Sequence, residues 1–381
     1  MASRTADQYI SFGSGDAFPR ILPDLTAEAA VALTTWRSET LQYAPRPGLT
    51  ALRETIAEIM ANDGADMSPS QVQVVNGAKH GLELVCRMLL SPGDTVVVTA
   101  PTYFTAIPIF RNCGAGFVEV GRDREGMDVE ELEATLARLA RTGAGLPSLI
   151  YEVPDFHNPT GITMSRRRRE ALVALAERYS IPIVEDSPYR QIRFTDHCEP
   201  LLKSLSPKHV ILLGTFAKMV APGLRIGWVA ASPDLLEQMA QAKSDGGTCP
   251  LTQRIVVEFC RRGRLPEQVS RMRECYREHR DRMVTALRRE LPEVRTDVPD
   301  GGYYLWLSLP PGVNADDLER CAEGRGVGIL SGSRFFASLH APPTNRPAPT
   351  NFLRLAYSFA APDEIDEGVG RLAAAMRDLA S

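Results

Sequence analysis

Short runs of β-branched and apolar residues alternate along the first two thirds of the chain with longer stretches whose apolar positions recur every three or four residues. The runs are 72–75 (VQVV), 95–99 (TVVVT), 148–153 (SLIYEV), 181–185 (IPIVE), 209–213 (HVILL) and 226–230 (IGWVA). Strands alternating with helices predict a mostly parallel sheet covered by helices on both faces. Residues 78–90 place Leu82, Val85, Met88 and Leu89 at helical spacing, and Pro92-Gly93 stops that helix before the next strand. In 128–140, Asp128 stands ahead of Glu131 as an N-cap, while Val129, Leu132, Leu136 and Leu139 share one face.

From about residue 286 the texture changes. Short strands at 303–309, 326–330 and 352–357 alternate with helices at 314–323 and 363–379, which predicts a second, smaller α+β domain. The fold expected is therefore α/β, a three-layer αβα large domain with a mostly parallel sheet plus that smaller domain. Its division is 1–44 for an N-terminal arm and part of the small domain, 45–285 for the large domain and 286–381 for the small one. The Arg- and Glu-rich stretch 261–290 reads as a long solvated helix joining the two, and 341–350 as a Pro-rich loop.

Composition narrows the function classes. Of 381 residues, 44% are apolar and 24% charged, the balance of a globular chain and not of a disordered one. With 43 Lys+Arg against 47 Asp+Glu the net charge is -4, which offers no global attraction to nucleic acid or to an anionic membrane. Any anion site must be local. The seven cysteines form no C-x-x-C pair, and six histidines lack metal-ligand spacing, so neither a disulfide framework nor a metal site is indicated. The polar N-terminus has no apolar leader core, and no run approaches the roughly 18 apolar residues of a membrane span. A cytoplasmic location is expected.

Candidate chemistry sits where strands end. Asn76-Gly77-Ala78-Lys79 joins a strand to a helix, and a glycine there lets helix N-terminal N–H groups face an anion, although many such turns need glycine for conformation alone. Asn158-Pro159-Thr160-Gly161 follows the next-but-one strand, and Asp186 closes another, with Tyr189 three residues on. An acid at that position faces the ligand edge of a parallel sheet or simply caps a helix. Lys218 lies in Gly214 to Gly227, an apolar turn rich in Gly and Pro; burial there lowers an amine's pKa and makes it a nucleophile for a carbonyl. Thr215 and Arg225 flank it with a hydroxyl and a permanent cation.

In this order and spacing the motifs resemble those of the class I/II aminotransferases, the aspartate aminotransferase-like group of fold-type-I pyridoxal 5′-phosphate (PLP) enzymes. The resemblance covers almost the whole chain, from Ile10–Gly15 through Tyr43, Gly48–Arg53, Pro101-Thr102-Tyr103 and the turns above to Asn351–Leu355. It implies that Lys218 binds the cofactor covalently and later moves a proton on the substrate. Asp186 would hold the pyridine nitrogen protonated, and Asn158 and Tyr189 would donate to the ring 3′-oxygen. Tyr103 would stack on the ring. Gly77, Ala78, Lys79, Thr215 and Arg225 would hold the phosphate, the first three mainly through backbone N–H groups. Tyr43 would reach the phosphate of the neighbouring subunit, making the working unit a homodimer with shared active sites. Arg354 would clamp the substrate α-carboxylate, with Gly15 and Asn158 lining the same pocket.

Other residues carry two readings. The Lys79 side chain either adds a cation at the phosphate or turns outward; His157 either touches substrate or is a hydrogen-bonded structural histidine. Arg20 and Arg46 offer a second cation for a dicarboxylate, whereas Phe12, Phe335 and Phe336 offer an apolar side-chain pocket. The expected activity is transamination between an α-amino acid and a 2-oxo acid, with no nucleic-acid or membrane partner. The alternative on the same cofactor is an elimination, replacement or cyclisation. A ligand sensor is a further reading; such regulators resemble this chain but carry a helix-turn-helix module upstream, whereas here the arm begins within the first fifteen residues.

Overall fold

The computed structural model of the chain describes residues 9–340 and 349–380, so most of the Pro-rich segment 341–350 lies outside the described residues. Seven strands form the main sheet in the order 72–75, 227–230, 210–215, 183–186, 149–152, 95–99, 116–120. All run parallel except 227–230, which is antiparallel to both neighbours. The inner strands are buried on both faces, and successive side chains serve opposite layers. Val75, Val96, Val98, Leu149 and Val184 pack with Leu82 and Val85 on one side. Val97, Ile150, Ile183 and Val210 pack with Leu132, Leu136 and Leu172 on the other.

Local signals set the helices. Helix Val129–Thr142 starts at Asp128, whose carboxylate accepts the Glu131 N–H at 2.9 Å, and stops at Gly143 with φ 69°. Helix Ala78–Leu89 begins after Gly77 at φ 86°, a conformation that favours glycine.

A second sheet, in the order 295–296, 304–308, 352–356, 330–331, is antiparallel and has its own core around Leu305, Leu307, Leu353 and Leu355. The arm joins it: Ile10–Ser11 pairs in parallel with Val327–Gly328, and Ile10 and Phe12 enter that core. Helix Arg264–Glu290 corrects the expectation of a solvated connector, because Val269, Met272, Tyr276, Met283 and Leu287 are buried along one stripe. The abundance of Arg and Glu on its other faces hides a spacing of three and four that marks a core helix. Among the described residues no helix is long and apolar enough to cross a membrane.

Candidate active site

The turns singled out in the sequence leave the main sheet at one edge, the C-terminal ends of its parallel strands, where open α/β sheets hold ligands. The antiparallel strand 227–230 brings its N-terminal end, and Arg225 just before it, to the same edge. A cleft of about 240 Å³ there is bounded by Ala78, Tyr103, Asn158, Asp186, Lys218 and Arg225. A larger compartment of about 640 Å³ shares Tyr103, Asn158, Tyr189 and Lys218 with it and extends to Gly15, Tyr304 and Arg354.

One end of the cleft is built for an anion. The first N–H groups of helix Ala78–Leu89 lack intrahelical partners and carry the positive end of the helix dipole. A Cβ on Gly77 would come within 2.6 Å of Arg225 Nη2, so the guanidinium lies directly over the turn, where it donates to Asn76 O at 3.1 Å. A Cβ on Gly227 would meet the Ala78 nitrogen at 2.6 Å, so the two segments touch backbone to backbone. The turn is pinned by His80 Nδ1, which accepts the Asn76 N–H at 3.1 Å, and by Asn76 Nδ2 donating to Asp245 at 2.7 Å. The Thr215 hydroxyl borders the cleft but also closes the lysine turn, accepting the Ala217 N–H at 3.1 Å and donating to Ile226 O at 3.2 Å. The Lys79 side chain is exposed at the rim.

In the middle, Asp186 Oδ2 accepts the Tyr151 hydroxyl at 2.8 Å, while Oδ1 is buried without a partner. Burial pushes the carboxyl up to about 6, against the Tyr151 hydrogen bond. Alternation along strand Ile183–Asp186 turns Asp186 to the cleft and Glu185 to the other face, where Glu185 accepts the Leu202 and Lys203 N–H groups at 3.1 and 2.8 Å. Lys218 Nζ donates to Gly15 O at 2.7 Å and lies 4.9 Å from the Tyr303 ring centre. Burial, with Arg354 and Arg225 acting in the same sense, pulls its pKa below the ordinary lysine value.

At the far end Arg354 is 2% exposed. Nη1 donates to Asn158 Oδ1 at 3.0 Å, Nη2 donates to Gly13 O, and Nε has no partner. The Tyr304 ring lies 4.1 Å from its guanidinium carbon, with Phe335 at 5.3 Å and Phe104 at 5.8 Å.

Several candidates fall elsewhere. His157 is buried with Nδ1 3.0 Å from the Thr160 hydroxyl and Nε2 3.4 Å from that of Thr99, and burial holds it neutral, well below the histidine range. Arg20 and Arg46 are exposed and border neither compartment. Phe12, Phe335 and Phe336 build no side-chain pocket: Phe12 is core, Phe335 backs Arg354, and Phe336 is buried outside both compartments. Tyr43 is 84% exposed and lies beside Gly246, away from this chain's own cleft. Two residues escaped the sequence reading, Tyr151 and Tyr304. Their signal is a hydroxyl inside otherwise apolar buried strands.

The residues present fit a phosphorylated pyridine aldehyde. A protonated ring nitrogen would satisfy the orphaned Asp186 oxygen, the Gly77–Arg225 cup suits a phosphate, and Lys218 supplies an amine for the aldehyde. Fold and cleft together define a PLP-dependent transferase. The family "Aminotransferase class I and II" matches residues 8–372. An aromatic-amino-acid aminotransferase of Thermococcus litoralis is 34% identical, over 95% of this chain and 86% of its own. The structure of an α-aminoadipate aminotransferase from Thermus thermophilus, complexed with N-(5′-phosphopyridoxyl)-L-leucine, superposes with a TM-score of 0.89 at 34% identity, covering 98% of this chain and 93% of the other. A kynurenine aminotransferase from Pyrococcus horikoshii, solved with PMP, gives 0.91 at 32% identity, covering 99% and 92%. The chain belongs to the class I and II aminotransferases, and its cofactor is PLP.

Proposed function

We propose that this aminotransferase moves an amino group between an α-amino acid and a 2-oxo acid, with Lys218, Asp186 and Tyr189 as its catalytic residues. The observation that carries the assignment is that Lys218 Nζ and the unpartnered Asp186 Oδ1 border one cleft, between an anion cup and a buried arginine. PLP, once bound, supplies an electron sink for the substrate Cα. Asp186 keeps that sink cationic at the ring nitrogen. Tyr189 and Asn158 donate to its ring oxygen, Tyr103 covers a ring face, and the Gly77–Lys79 N–H groups, Thr215 and Arg225 hold its phosphate. Arg354 fixes the substrate α-carboxylate, with Gly15 and Asn158 around it, and Lys218 carries the proton from Cα.

Relatives named for aromatic amino acids, α-aminoadipate and kynurenine support a bulky or long-chain amino acid as the donor. The exposed Leu41 and Tyr43, at 63% and 84%, support a homodimer in which Tyr43 completes the phosphate site of the other subunit. The core around Leu305 and Leu353, apart from the clusters that cover the main sheet, supports a division into an arm (1–44), a large domain (45–285) and a small domain (286–381), with Met272, Tyr276 and Met283 of helix Arg264–Glu290 packing into the small domain's core ahead of that boundary. We place the enzyme in the cytoplasm, with no nucleic-acid or membrane partner.

The test is reconstitution with PLP followed by single turnover across acidic, aromatic and branched amino acids, with 2-oxoglutarate and pyruvate as acceptors. Wild type gains a visible band and releases one 2-oxo acid per site, whereas Lys218→Ala gains no borohydride-sensitive band. Amino acid consumption without a 2-oxo acid of the same carbon skeleton would replace transamination by elimination or cyclisation.

A further inference from the structure

Tyr304 stands where three parts of the molecule meet. It opens the strand Tyr304–Ser308 and pairs with Ala356, while Trp306 pairs with Arg354, so Tyr304 and Arg354 are diagonal neighbours across two strands. Its hydroxyl is 3.2 Å from that of Tyr189, which comes from the turn after strand Ile183–Asp186 of the other sheet. The hydroxyl also presses on the arm: a Cβ on Gly15 would come within 2.0 Å of it, and the Gly15 carbonyl is the acceptor for Lys218 Nζ. Its ring lies against the Arg354 guanidinium.

We propose that Tyr304 is a positioning residue joining the two ends of the active site: its hydroxyl backs the Tyr189 phenol, and its ring holds the Arg354 guanidinium in plane. The proposal rests on the aminotransferase reading above. A phenol both donates and accepts. In the present arrangement Tyr189 donates to Tyr304. When Tyr189 turns its proton toward the cofactor's ring oxygen, Tyr304 reverses and donates to Tyr189, so the buried Tyr189 oxygen keeps a partner and becomes the stronger donor. Arg354 is constrained separately. Two of its nitrogens are tied and Nε is unpartnered, and of the three rings around the guanidinium that of Tyr304 is nearest, at 4.1 Å against 5.3 Å for Phe335 and 5.8 Å for Phe104, so its face does most to set the tilt of the fork that meets a carboxylate. The charged and titratable groups facing this pair are Lys218, Arg354, Tyr103 and Tyr303, with Asp16 near Lys218; the substitutions below alter none of them.

The two contributions separate with Tyr304→Phe and Tyr304→Leu, both studied as PLP-loaded protein. A donor on the ring oxygen favours the deprotonated chromophore, so weakening it raises the pH at which the visible band titrates. Tyr304→Phe shifts that titration upward by roughly half a unit or more, the size of one ordinary hydrogen bond, and leaves the KM for the best amino acid of the screen within about twofold. Tyr304→Leu gives the same shift and raises KM by about tenfold through loss of the aromatic face. An unmoved titration in Tyr304→Phe overturns the hydroxyl role. A KM raised equally in both variants overturns the ring role. Should Tyr304→Leu fail to fold, the near-isosteric Phe variant still decides the first point, and its KM decides whether the hydroxyl alone accounts for both effects. Should no amino acid turn over on wild type, transamination fails while the band titration still judges Tyr304.

Discussion

Replacing Arg354 by lysine keeps the charge and removes the fork. The side chain is almost fully buried and holds Asn158 Oδ1 at 3.0 Å through one nitrogen and Gly13 O through another, beneath the Tyr304 ring. A lysine ammonium reaches one such direction at a time and stacks poorly. The loss is one hydrogen bond to a charged group, about 1.5–3 kcal/mol, and part of a desolvated cation–π contact, about 0.5–2 kcal/mol. Together these amount to about 2–5 kcal/mol, and because part of the ammonium's attraction survives, we expect the lower half, about 2–3.5 kcal/mol or a fall in kcat/KM of roughly 30- to 400-fold. The assay is the single-turnover rate with an amino acid and with the amine that lacks its carboxylate. Arg354→Lys should slow the first by that factor and leave the second within about threefold. Equal losses for both substrates would mean that Arg354 supports the cleft without meeting the carboxylate, and an unchanged rate with the amino acid would remove it from the substrate site.

Gly77→Ala forces an L side chain to φ 86° and pushes a Cβ to 2.6 Å from Arg225 Nη2, so PLP titration of the apo protein should show affinity reduced by about tenfold or more; an unchanged Kd would refute the cup. Glu185, pushed by burial from 4.5 up to about 7, holds its proton more tightly when folded, so its contribution to stability is complete below pH 4.5 and is lost as pH rises through 7. In Glu185→Gln the decline in unfolding free energy between pH 5 and pH 8, measured with urea, should shrink by about 2–3 kcal/mol, and an equal decline would exclude Glu185 as its source.

The strands at 72–75 and 95–99 were legible to the residue because β-branched runs buried on both faces have no competing pattern. Strand Gly116–Val120 was not: it lies at the sheet edge, starts on glycine and is only partly buried, so its hydrophobic signal is diluted. Helix Thr50–Asn62 also escaped, since Thr55 and Ala57 occupy its buried face beside Leu52 and Ile56 and blur the stripe. In the site, Gly77, Asp186 and Lys218 were legible because each ends a strand or stands in the turn just after one and carries its own chemistry. Tyr151 and Tyr304 depend on neighbours that only the sheet order supplies: 149–152 beside 183–186, and 304–308 from a different sheet altogether.

The order of the main sheet also bears on biosynthesis. Strand Val72–Val75 emerges early from the ribosome, yet its single partner in the sheet is 227–230, which is made after every other strand of that sheet. Until then the Gly77 turn is tethered by nothing that carries Arg225. Insertion of 227–230 between 72–75 and 210–215 joins the oldest and newest segments of the nascent layer, a long-range closure of the kind that slows assembly. On the proposed reading of the cup, the vitamin-derived group is captured only after translation has passed residue 230 of 381, which ties its uptake to completion of the main sheet while the second sheet is still to be made.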